Sequence, residues 1–448
     1  MANVHRVRKG YNLQLVGNPS DAISVAPFSP VYTLFPADFK GVTPKLAVKV
    51  GDKVLAGDCV FYSKTNELVR IPSPVSGEVL EIVRGEKRVL LAVKIAADAA
   101  IAYRDFGSAP LGTLEAATVK EKLTASGLWT LVRMRPFDRI ANPSDSPKAI
   151  FINGMATAPH APSMPVCMAG QEESFQAGIE ALSTLTDQIV LSTTVGDATP
   201  AFQQAKGVEK HSFSGPHPSG NTSVHIAAVS PLNKGEVVWA VSAQDVVAIG
   251  KLFTTGQCRL DRVISLTGEC VKNPQHYSIL PGAGLKELLV NQLVHAKPRI
   301  ISGDVLTGIK TSSEGALHFY SQQVSTLPEG DSPELLGWVL PGVGKFSLSR
   351  TFCSWLTPNK SYALDTNMHG EERAFVITGQ YEQVFPFDIF PQELVKAAWS
   401  LDVEKLEQLG IYEVVEEDFA LCEVICTSKQ PLQQLIREAL DTVYTEMN

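Results

Sequence analysis

Between Val31 and Ile95 the chain sets down six short apolar runs in close succession: VYTLF, KLAVKV, CVFYS, LVRIP, GEVLEIV and RVLLAVKI. Apolar residues recurring with a period of two mark half-buried strands, because successive side chains on a strand point to opposite faces. Turn signals such as VGDKVLAGD and VRGEKR separate the runs, and the steps Gly51-Asp52 and Gly57-Asp58 bracket a reverse turn. So dense a series leaves no length for a helix. It predicts a small all-β unit folded on itself.

After DFGSAPLGTLEAATV the period changes, and VKEKLTASGLWTLV carries apolar residues at helical spacing. KAIFINGM, DQIVLSTTV, SVHIAAVSP and RVISLTG read as strands, while SFQAGIEALSTLT and DVVAIGKLFTTG read as helices, the second closing on the C-cap Gly256. Strands alternating with helices predict a parallel α/β sheet. Ahead of the all-β unit YNLQLVG reads as one short strand; beyond the α/β part, the helix LKELLVNQL and the strand PRIIS suit a compact β-grasp unit. GWVLPGVGKFSLSRTF reads as β-rich, and helices follow from Gln392. The expectation is a multidomain α/β chain. Residues 1–100 form a barrel-sandwich hybrid domain, 101–260 a Rossmann-like α/β domain and 261–312 a β-grasp domain. A β-rich connecting region, 313–390, and a C-terminal helical domain, 391–448, complete it.

The net charge of −8 has a telling placement: from Leu401 onward there are eleven acids against three bases, which is the whole excess. The first 53 residues lean the other way, with seven bases against three acids, so the start is a candidate for contact with phospholipid headgroups. A globally acidic chain without a basic stripe is a poor nucleic-acid binder. No stretch reaches the roughly 18 consecutive apolar residues of a membrane span, and MANVHRVRKGYNLQLVG lacks the apolar run of a secretory signal. A soluble, cytoplasmic protein is expected. Seven cysteines in such a chain read as reduced thiols, and Cys422 and Cys426, inside an apolar helical run, as core residues.

Local motifs of catalysis are missing. PGVGKFS (341–347) fails the phosphate-loop pattern at Val339 and Phe346 and reads as a turn between strands. Gly282-Ala283-Gly284 is too short for a dinucleotide site, and H-E-x-x-H and G-x-S-x-G are absent. The nine histidines show no ligand spacing, so neither a metal site nor a catalytic residue is expected. GPHPSG (215–220), stiff around His217, is a rigid turn or the lining of a site.

IPSPVSGEVLEIVRGEKRVLLAVKI (71–95) resembles the carrier domains of lipoylated and biotinylated enzymes, but Lys64 lacks the neighbours of a modified lysine. The order of parts is similar to that of the flavin-binding subunit of respiratory complex I and the C subunit of Rnf complexes. The closer resemblance is to the A subunits of Na⁺-translocating NADH:quinone reductases. It is carried by SGLWTLVRMRPF (126–137), KAIFINGMATAPHAP (148–162), FSGPHPSG (213–220), QDVVAIGKLFTTG (244–256), RIISGDVLTG (299–308) and GWVLPGVGKFSLSRTF (337–352). The resemblance implies a lipoyl-like barrel-sandwich, a Rossmann-like domain and a soluble-ligand-binding β-grasp unit. It implies a peripheral subunit of a six-subunit complex on the cytoplasmic face of the bacterial inner membrane, docked on the membrane-embedded B component of that complex. The complex oxidises NADH, reduces ubiquinone and exports Na⁺. FMN, riboflavin, FAD and iron–sulfur centres are expected on other subunits.

The departures from the flavin-binding relatives point the same way. Their glycine-rich loop corresponds here to Gly127–Phe137, where Trp, Leu, Val and Met stand in place of glycines, and their cysteine motifs are reduced to Cys422 and Cys426. For quinone contact the candidates are Trp129, Arg133, Arg135 and Phe137, then Phe35, Phe39 and Lys40, as flat surfaces and donors for carbonyl oxygens. The alternatives are a structural adaptor without quinone contact and an Rnf-type flavoprotein.

Overall fold

A computed structural model describes residues 3–331, 336–337, 339–357 and 360–447. The described residues are mixed α/β, built on four sheets. Two of them make the early all-β unit. Val31–Leu34, Leu90–Ala97, Gly77–Arg84 and Lys53–Val54 lie side by side, as do Pro44–Leu46, Cys59–Ser63 and Arg70–Pro72, antiparallel throughout. Period-two patterning sends Leu34, Val60, Ile71, Val79, Val93 and Ile95 into one core. The Gly-Asp steps close their turns with side-chain caps: Asp52 accepts from Lys49 N–H and Asp58 from Leu55 N–H, both at 2.8 Å.

The α/β part centres on a seven-stranded sheet in the order Asn3–Arg6, Glu209–Ser214, Ile189–Thr194, Ile150–Asn153, Val238–Ser242, Arg133–Arg135, Arg139–Ile140. The first five strands are parallel and the last two antiparallel. On one face Ile150, Ile152 and Leu191 pack in the main core with the helices Glu172–Ser183 and Ala243–Thr255, while Phe151 and Val190 meet Ile226 on the other. The two helices cross with almost no separation. A Cβ on Gly250 would lie 1.8 Å from the Ser174 carbonyl oxygen, and one on Gly178 2.1 Å from that of Val246. The ends of Ala243–Thr255 follow from local chemistry: Ser242 caps it by accepting from Asp245 N–H, and Gly256 closes it in the left-handed region.

A six-stranded sheet follows, in the order Ile309–Thr311, Pro298–Ser302, Gln323–Pro328, Arg262–Gly268, Gln275–Ile279, Ile23–Val25. The C-terminal helices Pro391–Ser400, Val403–Gln408, Ala420–Ile425 and Leu432–Met447 enclose Leu394, Leu406, Phe419, Ile436 and Leu440. Cys422 and Cys426 lie in this core as free thiols, and Tyr381 Oη donates to Cys426 Sγ at 2.9 Å. Among the described residues no helix is long and apolar enough to cross a membrane.

Several expectations need correction. YNLQLVG is not a strand; Leu15 alone bridges Tyr362, and the N-terminal chain instead lends Asn3–Arg6 to the α/β sheet and Ile23–Val25 to the six-stranded one. SVHIAAVSP is mostly a helix, Thr222–Val229, which follows the proline-rich loop and packs its Ile226 and Val229 side chains against the sheet. Of LKELLVNQL only Lys286–Leu289 is helical. GWVLPGVGKFSLSRTF contains no strand among its described residues, Trp338 lying outside them; PGVGKFS is a turn without flanking strands. The region 313–390 is thus β-rich only at Gln323–Pro328, which sits in the middle of the six-stranded sheet.

Candidate functional site

In an open parallel sheet, ligands bind outside the carboxyl ends of strands at the point where the strand order reverses. From Ile150–Asn153 the chain moves outward to Ile189–Thr194 and Glu209–Ser214, then returns to the opposite side as Val238–Ser242. The reversal therefore falls between Asn153 and Ser242. A cleft of about 490 Å³ opens there, lined also by Asp38 and Lys40 from the barrel-sandwich unit, Gly303 and Tyr320 from the region of the six-stranded sheet, and Glu417.

The floor of the cleft is ionic. Asp138 lies 2.8 Å from Lys40 Nζ, 2.9 Å from Arg133 Nη2 and 3.4 Å from Arg135 Nε. Burial opposes its ionisation, but Arg133, Lys40 and Arg135 outweigh that and hold its carboxyl well below the ordinary range. Phe137 and Asp138 both have left-handed backbone, at φ 78° and 46°, a strained geometry for residues with a Cβ. The C-terminal helices hold it in place. Arg437 donates to the Phe137 carbonyl at 2.7 Å, and Tyr412 and Tyr444 meet the Phe137 ring edge-on at 6.0 and 5.2 Å. Arg135 donates to Ser223 Oγ at 2.7 Å and pairs with Glu417 at 3.1 Å; Arg139 pairs with Asp441 at 2.8 Å. Glu416 receives both Lys40 and Arg437.

Beside this network Asp418 is buried, accepting from Asn221 Nδ2 at 3.0 Å and from Val415 N–H at 2.9 Å. Burial and the neighbouring Glu417 push its carboxyl up to about 7, against the pull of Arg135 and Asn221. Asp38 accepts from His318 Nδ1 at 2.6 Å and from Phe319 N–H at 2.8 Å. Tyr320 donates to the Thr130 carbonyl at 2.7 Å, under the Arg133 guanidinium at 4.8 Å.

Of the seven candidate residues, Lys40, Arg133 and Arg135 converge on the cleft. The rings are dispersed. Trp129 is fully enclosed, donating to the Ala141 carbonyl at 2.7 Å and meeting Trp239 edge-on at 5.2 Å. Phe39 is buried among Phe61, Phe319 and Tyr320, and Phe137 between the two C-terminal tyrosines. Phe35, half-buried, stacks on His318 at 4.4 Å. His217 belongs to a tied loop: its N–H bonds Asn12, its carbonyl accepts from Tyr11 N–H, and burial pushes its ring down to about 4. Sequence reasoning missed Asp138, one position after a candidate, and Glu416, Glu417 and Asp418, which only the fold brings near. Among the described residues no cluster of three or more His, Cys, Asp or Glu side chains is arranged to hold a metal ion.

The segment Gly127–Phe137 fills space rather than opening it. Leu128, Trp129, Thr130, Leu131 and Val132 are buried, and a Cβ on Gly127 would lie 2.7 Å from Pro72 Cδ, so the segment packs on the barrel-sandwich unit. The class these features define is a multidomain mixed α/β chain with a barrel-sandwich unit in front of a switch-point cleft floored by ion pairs. Family models match three parts of it: the NqrA N-terminal barrel-sandwich hybrid domain over residues 5–98, the NqrA second alpha/beta domain over 114–258 and the NQRA C-terminal domain over 263–313. The chain belongs to the family of Na⁺-translocating NADH-quinone reductase A subunits. Relatives from Vibrio anguillarum and Vibrio alginolyticus are each 38% identical over 443 residues, covering 98% of this chain and 99% of theirs; one from Aliivibrio salmonicida is 37% identical over the same span. Among solved structures, the H₂-reduced and air-oxidised states of an NAD⁺-reducing [NiFe]-hydrogenase are similar at 13% and 14% identity. Each has a TM-score of 0.33 and covers 51% of this chain and 52% of that one, a likeness too slight to argue from.

Proposed function

We propose that this chain acts as a peripheral, cofactor-free subunit of a complex that oxidises NADH, reduces ubiquinone and exports Na⁺. In this reading it lies on the cytoplasmic face of the bacterial inner membrane, docks chiefly on the membrane-embedded B component, and leaves the flavins and iron–sulfur centres to the other subunits. The observation that carries the reading is the packing of Gly127–Phe137. A flavin cradled by bare backbone needs a segment free of side chains, and here Leu128, Trp129, Leu131 and Val132 are all enclosed. The match to the A-subunit relatives over 98% of this chain and 99% of theirs supports reading it as a subunit of the same kind. A complex purified without this chain should keep NADH oxidation by an artificial acceptor and lose ubiquinone reduction. Undiminished ubiquinone reduction would overturn the reading.

Within it, Lys40 and Arg133 act as donors toward quinone carbonyl oxygens at the cleft, and the Phe35–His318 stack offers a flat face. A second reading, an adaptor that never meets quinone, is favoured by one observation: Lys40, Arg133 and Arg135 all have carboxylate partners. Lys40→Ala and Phe35→Ala separate the two. Quinone contact predicts a raised KM for ubiquinone with kcat retained; the adaptor predicts no change in either.

A further inference from the structure

Residues 335–364 contain Lys345, Arg350 and Lys360 but no Asp or Glu, in a chain whose net charge is −8. Among its described residues the same stretch exposes six large apolar side chains: Leu336, Val339, Leu340, Val343, Trp355 and Leu356, the last two at 51% and 64%. Scattered apolar exposure is ordinary on a protein surface. Six such residues within one short loop are not scattered.

The loop is built rather than merely extended. Cys353 N–H bonds the Pro341 carbonyl at 2.8 Å, Lys345 Nζ donates to the Gly337 carbonyl at 2.7 Å, and Lys360 Nζ to that of Val343 at 3.2 Å. Its inner side is anchored on the N-terminal chain: Phe346 packs on Tyr11 at 5.3 Å and on Tyr362 at 5.6 Å, and Tyr362 N–H bonds the Gln14 carbonyl at 2.7 Å. The anchor brings the loop beside the basic start. Arg8 and Lys9 lie within roughly 10 Å of chain from Tyr11, and Arg6, Arg8 and Lys9 are all exposed. None of these three, nor Arg350, has an acidic partner among the described residues. Arg350 instead lies over the exposed Trp355 ring at 5.9 Å.

Exposed aliphatic residues, a tryptophan at the rim and unpaired cations are what the headgroup boundary of an anionic bilayer selects. We propose that this loop, with Arg6, Arg8 and Lys9, is a bilayer-contacting surface for anionic phospholipid. The apolar side chains enter the acyl boundary and the cations stay among the phosphates. A protein occupant fits less well. Cytoplasmic loops of membrane proteins are themselves rich in Lys and Arg and would be repelled by Arg6, Arg8, Lys9 and Arg350. The choice of which membrane it meets rests on the subunit reading above; the lipid chemistry does not.

The test is cosedimentation of the full chain with vesicles of phosphatidylglycerol mixed with phosphatidylcholine, and of phosphatidylcholine alone. Binding should be at least about tenfold stronger to the anionic vesicles and weaken with salt. Arg8→Glu and Arg350→Glu should each reduce it, and the exposed pair Trp355→Ser with Leu356→Ser should reduce it even at low salt. Brominated acyl chains should quench the wild-type chain's fluorescence and lose most of that quenching in Trp355→Phe. Absent or equal binding to the two vesicles, or binding indifferent to these substitutions, overturns the proposal. So does loss of this chain from the purified complex through Trp355→Ser and Leu356→Ser when vesicles are not bound, since the occupant is then a protein. The subunit reading fails separately, if the wild-type chain does not copurify with the complex.

Discussion

The guanidinium of Arg135 lies 3.1 Å from the carboxylate of Glu417, although 282 positions separate them in sequence. Through that pair, and through Arg139 with Asp441 and Arg437 with the Phe137 carbonyl, the C-terminal helices grip the hairpin that floors the cleft. The grip fixes where Asp138 sits, and Asp138 gathers Lys40, Arg133 and Arg135. One carboxylate thus joins the barrel-sandwich unit to the α/β unit.

That arrangement predicts unequal effects of removing its acids. Asp138→Ala leaves the enclosed guanidinia of Arg133 and Arg135 without their shared partner, a loss of about 3–5 kcal/mol. Glu417, 39% exposed at its side chain, belongs to the solvent-screened kind of pair, so Glu417→Gln is expected to change stability by about 1 kcal/mol or less. Urea unfolding of the two variants measures the contrast. Equal destabilisation would mean that Asp138 is not the hub.

Stability should also depend on pH through Asp418. Its carboxyl sits at about 7 in the folded chain, against about 3.9 in an unfolded one. The folded state therefore holds this proton over a range where the unfolded state has released it. The resulting stabilisation is complete at the acid end and declines as pH rises through about 7. Asp138 acts oppositely, since its carboxyl is held low and its contribution disappears only below the ordinary carboxylate range. Urea midpoints should fall from pH 5 to pH 8 in the wild type, and Asp418→Asn should flatten that decline.

At the helix crossing, propensity and packing predict opposite signs. Gly→Ala inside a helix is favourable by roughly 1 kcal/mol on propensity alone. At Gly250 the added methyl meets the Ser174 carbonyl at 1.8 Å, so the helices must separate. Gly250→Ala should destabilise by about 1–3 kcal/mol. Thermal unfolding reads the sign directly.

Much of the fold could be read before the structure, for identifiable reasons. The early strands have clean period-two alternation, and the helix Ala243–Thr255 closes on its C-cap, Gly256. Misreadings arose where local pattern and tertiary setting disagree. Val224 and Ile226 alternate as in a strand, yet they lie on a short helix, Thr222–Val229, that follows the proline-rich loop. The true strand Glu209–Ser214 is polar except for the buried Phe213, so it shows no run of apolar alternation. The cations of the cleft stood out because Arg133 and Arg135 lie beside Trp129 and Phe137 in one short segment. Their acids did not, since Glu416 and Glu417 arrive from the far end of the chain. The rings Trp129, Phe39 and Phe137 were attractive as ligand surfaces, but aromatic residues in apolar surroundings find one another first.

The most direct measurement is the flavin content of the chain, isolated and within its complex, by acid release and absorbance of the separated polypeptide. Filling of Gly127–Phe137 by side chains predicts a colourless polypeptide that releases no flavin in either state. Stoichiometric flavin recovered from this chain would contradict the account.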